Sequence, residues 1–262
     1  MRVCNLASGS KGNCTYFETE SAKILIDAGL SATELGKRLS MLGVTLGEID
    51  AVIVTHEHID HIKALSTLAN KYGIKIYAHV DEWQAINCKQ KINPTRQMAF
   101  FDDAFNIFDA TITPIRLSHD SHTCFGYTVE NSGKKFSILT DLGQTNDRIL
   151  SAVSGSVLVY LEANHDEDML RANPNYPQAL KQRILSSRGH LSNTACAKAI
   201  ERLLPHGVKQ IVLSHLSENN NTPDLAYSTI CSYLGQRGIV EGKHIYISIA
   251  KQERPTSIFN LK

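Results

Sequence analysis

The stretch T-H-E-H-I-D-H at residues 55–61 constrains this chain more than any other feature. Three histidines (His56, His58 and His61) and Asp60 fall within six residues, directly behind the apolar run 51–54. Unpaired imidazoles this close repel one another when protonated and gain nothing when neutral, so a merely solvated loop accounts for them poorly. His56 and His58, two apart in an extended turn, can point to one side, while Asp60 and His61 at the start of a following helix can face a second point nearby. Two adjacent metal ions are therefore expected here, with Glu57 orienting a neighbour or facing solvent. One loop cannot complete two coordination spheres, so more ligands must come from the ends of other strands. His119 and Asp120 follow the apolar stretch ending at Leu117, Asp141 follows 136–139, and His215 follows 211–213. Any one of these alone would read as a turn or cap residue. Together with the first cluster they supply the missing donors, and His122 is a rival to His119.

The rest of the chain has to bring those strand ends together. Short apolar runs predict strands at 3–7, 15–18 and 23–27, a meander broken by the turn-rich S-G-S-K-G-N and T-E-S stretches. Leu35, Leu39 and Leu42 at helical spacing predict a helix over 32–42 with Ser31 as its N-cap. The strand 51–54 precedes a helix over 60–72 that puts Ile62, Leu65, Leu68 and Ala69 on one face. Further strands are expected at 75–78, 111–117, 124–130, 135–140, 157–161 and 210–213, and helices at 81–88, 177–185, 192–204 and 223–234. Strands that come first grouped and then alternate with helices predict a mixed α/β domain in which sheets pack on each other with helices outside. With 262 residues, 42% of them hydrophobic, there is material for one large core. No Pro/Gly/Ser-rich linker, low-complexity tract or fixed-period repeat interrupts it, so a single domain over 1–262 is expected, with 164–189 as a local elaboration. The six cysteines lack a C-x-x-C pair and are expected to be reduced and mostly buried. No run approaches the roughly 18 apolar residues of a spanning helix, and the start has no signal-peptide pattern, so a soluble cytoplasmic protein without membrane contact is expected.

H-x-H-x-D-H, the later His119, Asp141 in T-D-L-G and the late His215 together resemble the metallo-β-lactamase superfamily, over essentially the whole chain. The resemblance implies a four-layer αββα sandwich of the α/β (α+β) class with metals at one edge of two sheets. It also implies two divalent ions, one held by His56, His58 and His119 and the other by Asp60, His61 and His215, with Asp141 bridging them. Such a site, with five neutral imidazoles, two carboxylates and a bridging hydroxide around two dications, keeps net positive charge and suits a phosphodiester. Two metals can hold both the attacking and the leaving oxygen, with the bridging hydroxide as nucleophile and Asp60 as part of the catalytic set. True β-lactamases resemble the chain less: they are exported and commonly place Cys where this chain has Asp141.

Two further motifs narrow the branch. Glu162 in L-E-A-N-H follows a strand, and His190 in G-H-L-S-N precedes an Ala-rich helix. They look like the phosphodiesterase branch, in which a matching His contacts phosphate or protonates the leaving oxygen. This makes His190 the expected general acid and Glu162 its orienting partner. Between them, 171–188 carries Arg171, Lys181, Arg183 and Arg188 with no Asp or Glu, although the whole chain is only +1. With Tyr176 nearby, Lys181, Arg183 and Arg188 could track a nucleic-acid backbone, or they could simply be a solvated helix face. Ser10, Lys11 and Asn13 in the Gly-rich turn after the first strand are candidate phosphate contacts.

The full set A-S-G-S-K-G-N-C, T-H-E-H-I-D-H, L-S-H-D, T-D-L-G, L-E-A-N-H-D, G-H-L-S-N and L-S-H-L-S-E-N-N-N is most similar to the WalJ (YycJ) family of bacterial metallo-β-lactamase-fold proteins. That resemblance implies a metal-dependent 5′-to-3′ DNA exonuclease with a part in mismatch repair, and so a DNA substrate and repair or signalling partners. RNase J-type nucleases insert a large domain between the Asp and the late His, for which 141–215 leaves no room, and the protruding arm of tRNase Z is missing. Two rivals stand beside this reading: a hydrolase of small or cyclic phosphodiesters, and a metal-stabilised regulatory protein linked to two-component signalling. Imidazole-rich ligation suits Zn, while two carboxylates without thiolate leave Mn and Fe open.

Overall fold

Strand alternation builds three apolar layers rather than one. In Cys14–Glu18, Cys14 and Tyr16 join one cluster and Phe17 another; in Gln210–Ser214, Ile211 and Leu213 face one way and Val212 the other. Both faces of each strand are thus apolar, which requires a layer on either side of the sheet. The computed structural model, which describes residues 1–261, meets this requirement with two seven-stranded sheets. In spatial order the first holds Phe259–Asn260, Arg2–Ala7, Cys14–Glu18, Lys23–Ile26, Ala51–Ile53, Lys75–His79 and Gln97–Phe100. The second holds Tyr246–Ile249, Gln210–Ser214, Leu158–Glu162, Lys134–Leu139, Phe125–Asn131, Ala110–Arg116 and Phe105–Ile107.

The sheets meet through Val3, Phe17, Ile53, Phe125, Phe136 and Val212. On the outer face of the first sheet lie the helices Ala32–Ser40, Leu65–Tyr72 and Trp83–Lys89, whose Leu35, Leu39, Leu65, Leu68 and Ile86 are buried against it. Asp147–Ala152, Asn193–Leu203 and Pro223–Gly235 cover the second sheet through Ile149, Ile200, Ile230 and Leu234. This is the expected αββα arrangement. Lys23–Ile26, Ala51–Ile53 and Lys75–His79 run parallel, as do Lys134–Leu139, Leu158–Glu162 and Gln210–Ser214. In each set the carboxyl ends therefore come out on one edge of the sheet, where open α/β sheets bind ligands.

Several elements differ from the sequence reading. The helix expected over 60–72 is two pieces, Ile59–Ile62 and Leu65–Tyr72. The break occurs because Ala64 N–H bonds to the carbonyl of Ala28, and the His61 carbonyl accepts from Ala28 N–H, so both groups leave the helical ladder for the neighbouring loop. Gln97–Phe100, Phe105–Ile107, Tyr246–Ile249 and Phe259–Asn260 were not anticipated as strands, nor Asp147–Ala152 and Glu167–Ala172 as helices. All are short, and the unanticipated strands lie at or next to sheet edges, where half-exposed positions carry little periodic signal. Ser31 caps its helix as expected, its hydroxyl accepting from Glu34 N–H at 3.2 Å. The cysteines are free, with Cys4, Cys14, Cys124 and Cys196 buried. Among the described residues no helix is long and apolar enough to cross a membrane.

Candidate metal centre

Each candidate donor sits just past a strand end or in the turn that follows one. His56, His58, Asp60 and His61 follow Ala51–Ile53, His119 follows Ala110–Arg116, Asp141 follows Lys134–Leu139, and His215 follows Gln210–Ser214. Donor atoms of His56, His58 and His119 lie within 4.8 Å of one another, and so do those of Asp60, His61 and His215. Asp141 falls between the two sets: it groups with His56 and His61 on one side, and with Glu162, His190 and His215 on the other. Its Oδ2 is 3.4 Å from His61 Nε2, and its Oδ1 is 3.8 Å from His119 Nε2. His122 is exposed and joins none of these groups among the described residues, so of the two rivals the fold brings His119 to the cluster.

The hydrogen bonds around the rings test whether these residues suit a metal. His61 Nδ1 lies 2.7 Å from Asp27 Oδ2, His215 Nδ1 2.7 Å from Glu162 Oε1, His119 Nδ1 3.2 Å from the Gly189 carbonyl, and His56 Nδ1 3.0 Å from Thr55 Oγ1. The Thr55 hydroxyl in turn donates to Asp27 Oδ2 at 2.9 Å, which leaves its lone pairs for His56. Four rings are thus held through Nδ1, which leaves Nε2 as the remaining donor, unpartnered in His56 and His215 and 3.0 Å from the Asn13 amide in His61; a partner on one nitrogen fixes the tautomer and raises the basicity of the other. His56 Nε2, His215 Nε2 and Asp141 Oδ2 are buried with no hydrogen-bond partner. A buried acceptor left unpaired costs about 1–3 kcal/mol, and cations held at the two donor groups would satisfy all three. The residues fit a divalent metal.

Electrostatics divide the imidazoles into two kinds. Burial pushes His56 and His119 below the usual imidazole range, which favours the neutral ring a metal requires. Burial would lower His61 as well, but the carboxylates of Asp27 and Asp141 outweigh it and raise its pKa to about 10. Glu162 is fully buried, yet His190 and His215 hold its pKa at about 2. Its Oε1 lies 2.8 Å from His190 Nδ1, and its Oε2 accepts from the backbone N–H groups of Leu142 and Leu191. Asp27, Asp141 and His215 adopt positive φ (63°, 62° and 56°), three of the five non-glycine residues that do so among those described. Backbone strain therefore concentrates where donors must be aimed inward.

The expected substrate contacts divide. Ser10 and Arg183 line a cavity of about 400 Å³ beside the donors. Asn13 does not face it as a free group: it is buried, its oxygen accepts from Gly9 N–H, and its amide lies 3.0 Å from His61 Nε2 and 3.3 Å from Asp60 Oδ2. Lys11 pairs with Glu218 at 2.8 Å in an adjoining groove, Lys181 Nζ donates to the Arg171 carbonyl, and Arg188 donates to the carbonyl of His119. For these four, local pairing takes up the polar ends that the sequence reading assigned to substrate. Glu57 is buried and accepts from His122 N–H, so it ties two donor-bearing loops together. Asp27 and Thr55 escaped the sequence reading. Sequence pattern makes Asp27 only the end of a strand, and the one available signal is an acidic residue at the end of an apolar run.

A family model described as the beta-lactamase superfamily domain matches residues 22–216. The chain is 39% identical over 241 residues to exodeoxyribonuclease WalJ of Streptococcus pneumoniae serotype 2 (strain D39 / NCTC 7466), covering 90% of this chain and 89% of that protein. It is 34% identical over 255 residues to exodeoxyribonuclease YycJ of Bacillus anthracis, covering 97% and 96%. Among solved structures, the metallo-β-lactamase-fold protein YhfI from Bacillus subtilis superposes with a TM-score of 0.73 at 16% identity, covering 98% of this chain and 99% of that one. Fold, donor geometry and near full-length similarity agree: the chain belongs to the metallo-β-lactamase-fold superfamily, within its WalJ/YycJ family.

Proposed function

We propose that this chain is a metal-dependent exodeoxyribonuclease working as one domain over 1–262. His56, His58 and His119 would hold one divalent ion and Asp60, His61 and His215 a second, with Asp141 between them. Zn, Mn and Fe all suit this donor set. Cations bound there supply charge neutralisation at the phosphoryl group and an activated water. The chain's own residues do the rest. Asp27, Glu162, Thr55 and the Gly189 carbonyl hold four imidazoles through Nδ1, so Nε2 is aimed without reorganisation. Glu162 accepts the Nδ1 proton of His190, whose side chain is 22% exposed and lines the cavity. A second proton, on His190 Nε2, is the one handed to the leaving oxygen, and the imidazole returns to neutral. Digestion from 5′ to 3′, a part in mismatch repair and a cytoplasmic location follow the family resemblance. The observation that carries the reading is the convergence of Nδ1-anchored imidazoles on the buried Asp141 carboxylate, whose Oδ2 has no hydrogen-bond partner, beside the His190–Glu162 pair.

The test is digestion of 5′-phosphorylated and 5′-hydroxyl DNA strands labelled at the other end, with protein loaded separately with Mn and Zn, alongside a small generic phosphodiester. Stepwise loss of nucleotides from the 5′ end is expected. Asp141→Ala should abolish it and lower metal content, whereas His190→Ala should lower kcat, on the order of 10²–10⁴-fold, with both metals retained. Cleavage of the small ester alone would move the protein to a narrower phosphodiesterase activity. No cleavage with metals bound would favour a regulatory role, and normal turnover by the His190 variant would remove that residue from the mechanism.

A further inference from the structure

The cavity beside the donors has a second wall that the chemistry above does not use. Besides His58, Asp60, His119 and His215, the cavity is lined by Tyr176, Leu180 and Ile184. Leu180 and Ile184, four residues apart, share one face of the Gln178–Leu185 helix, and Tyr176 lies just before its start. All three are half-buried, none belongs to the three apolar clusters of the molecule, and the helix buries no side chain at all. An apolar face that does not serve the core yet lines a polar cavity calls for an explanation other than packing.

The wall is also held in place. A Cβ on Gly189 would lie 2.1 Å from the Ile184 carbonyl oxygen, so glycine alone allows the end of the helix to rest on the turn that carries His190. The Tyr176 hydroxyl accepts from Asn219 Nδ2 at 3.3 Å, and Arg183 pairs with Asp120 at 3.2 Å, both of them cavity residues. A cavity lined both by cation-binding donors and by an aromatic and two aliphatic side chains matches a ligand that is anionic at one end and flat and apolar at the other. A nucleotide has that form, and about 400 Å³ lies within the range of small-ligand sites.

We propose that Tyr176, Leu180 and Ile184 form a nucleobase subsite that receives the base of the terminal nucleotide, with the Tyr176 ring as its stacking platform. This rests on the nuclease reading above. Every base presents a π-face, so the subsite serves all four terminal nucleotides and rewards a stacked base with roughly tenfold or more in binding.

The test compares two oligodeoxynucleotides that differ only at the digested end, one with a normal terminal nucleotide and one with a tetrahydrofuran abasic residue, by the kinetics of first release. For the wild-type protein KM should rise roughly tenfold on the abasic terminus. Tyr176→Ala should show a similar rise on the normal terminus and almost none on the abasic one, with metal content unchanged. Tyr176→Phe should behave as wild type, and Leu180→Ala should repeat the alanine pattern more weakly. Equal KM for the two termini in the wild type, or an equal loss on both in Tyr176→Ala, would overturn the subsite. Failure of the wild type to digest either strand while it cleaves a small phosphodiester would instead overturn the nuclease reading, and the subsite with it.

Discussion

At the scale of single residues, the carboxylates that touch imidazoles rather than substrate carry much of the design. Asp27 receives Thr55 N–H at 2.8 Å, the Thr55 hydroxyl at 2.9 Å and His61 Nδ1 at 2.7 Å, so one buried side chain orients His61 directly and His56 through Thr55. Its φ of 63° suits Asn as well as Asp, so Asp27→Asn removes the charge without a new backbone cost. Metal affinity or kcat should fall about 10–100-fold, the usual effect of losing such a partner, and titration of bound metal alongside steady-state rates checks it. Unchanged values in both would show that the carboxylate does not orient His61. The histidines could be found from their spacing, but Asp27 could not, because what marks it is a neighbour 34 positions away.

At the scale of elements, the donor-bearing loop depends on one close approach. A Cβ on Gly29 would lie 1.6 Å from the Asp60 carbonyl oxygen, the same oxygen that accepts from Asn13 N–H. Gly29→Ala should therefore push the 58–62 segment away from the end of the first sheet. We expect a loss of about 1–3 kcal/mol together with lowered metal content. Ser31→Ala, two positions on, removes only the helix cap and should cost about 1 kcal/mol while metal content stays intact. Thermal unfolding and metal analysis of the two variants separate these effects; equal metal content in both would mean that the loop tolerates the shift. The same contact region explains why one expected helix is two, since Ala64 N–H and the His61 carbonyl bond to Ala28 instead of continuing the helix. Apolar periodicity over 60–72 runs through the break unaltered and could not reveal it.

At the scale of the whole molecule, the centre joins the two sheets. The first sheet's loops bring His56, His58, Asp60 and His61, and the second sheet's bring His119, Asp141 and His215. Cations bound by both sides favour the native state alone, so loading should stabilise the fold by about 2.7 kcal/mol at a hundredfold excess over Kd. A chelator should lower Tm, Mn or Zn should restore it, and Asp141→Ala should abolish the response; an unchanged wild-type Tm would mean that the two halves close without metal. The sequence by itself determined the layered α/β class, most of the strands and helices, and the residues able to donate to a metal. Those signals are local, being periodicity, turn chemistry and the density of histidines at one strand end. Only the tertiary structure decided that His119 rather than His122 meets the cluster, that Asn13 and Arg188 serve the donors, and that Asp27 orients His61. It also brought Tyr176, Leu180 and Ile184 to the cavity that the metal donors line. These facts arise from contacts between segments far apart in the chain, created when two sheets pack and their carboxyl ends converge, and no local pattern encodes them.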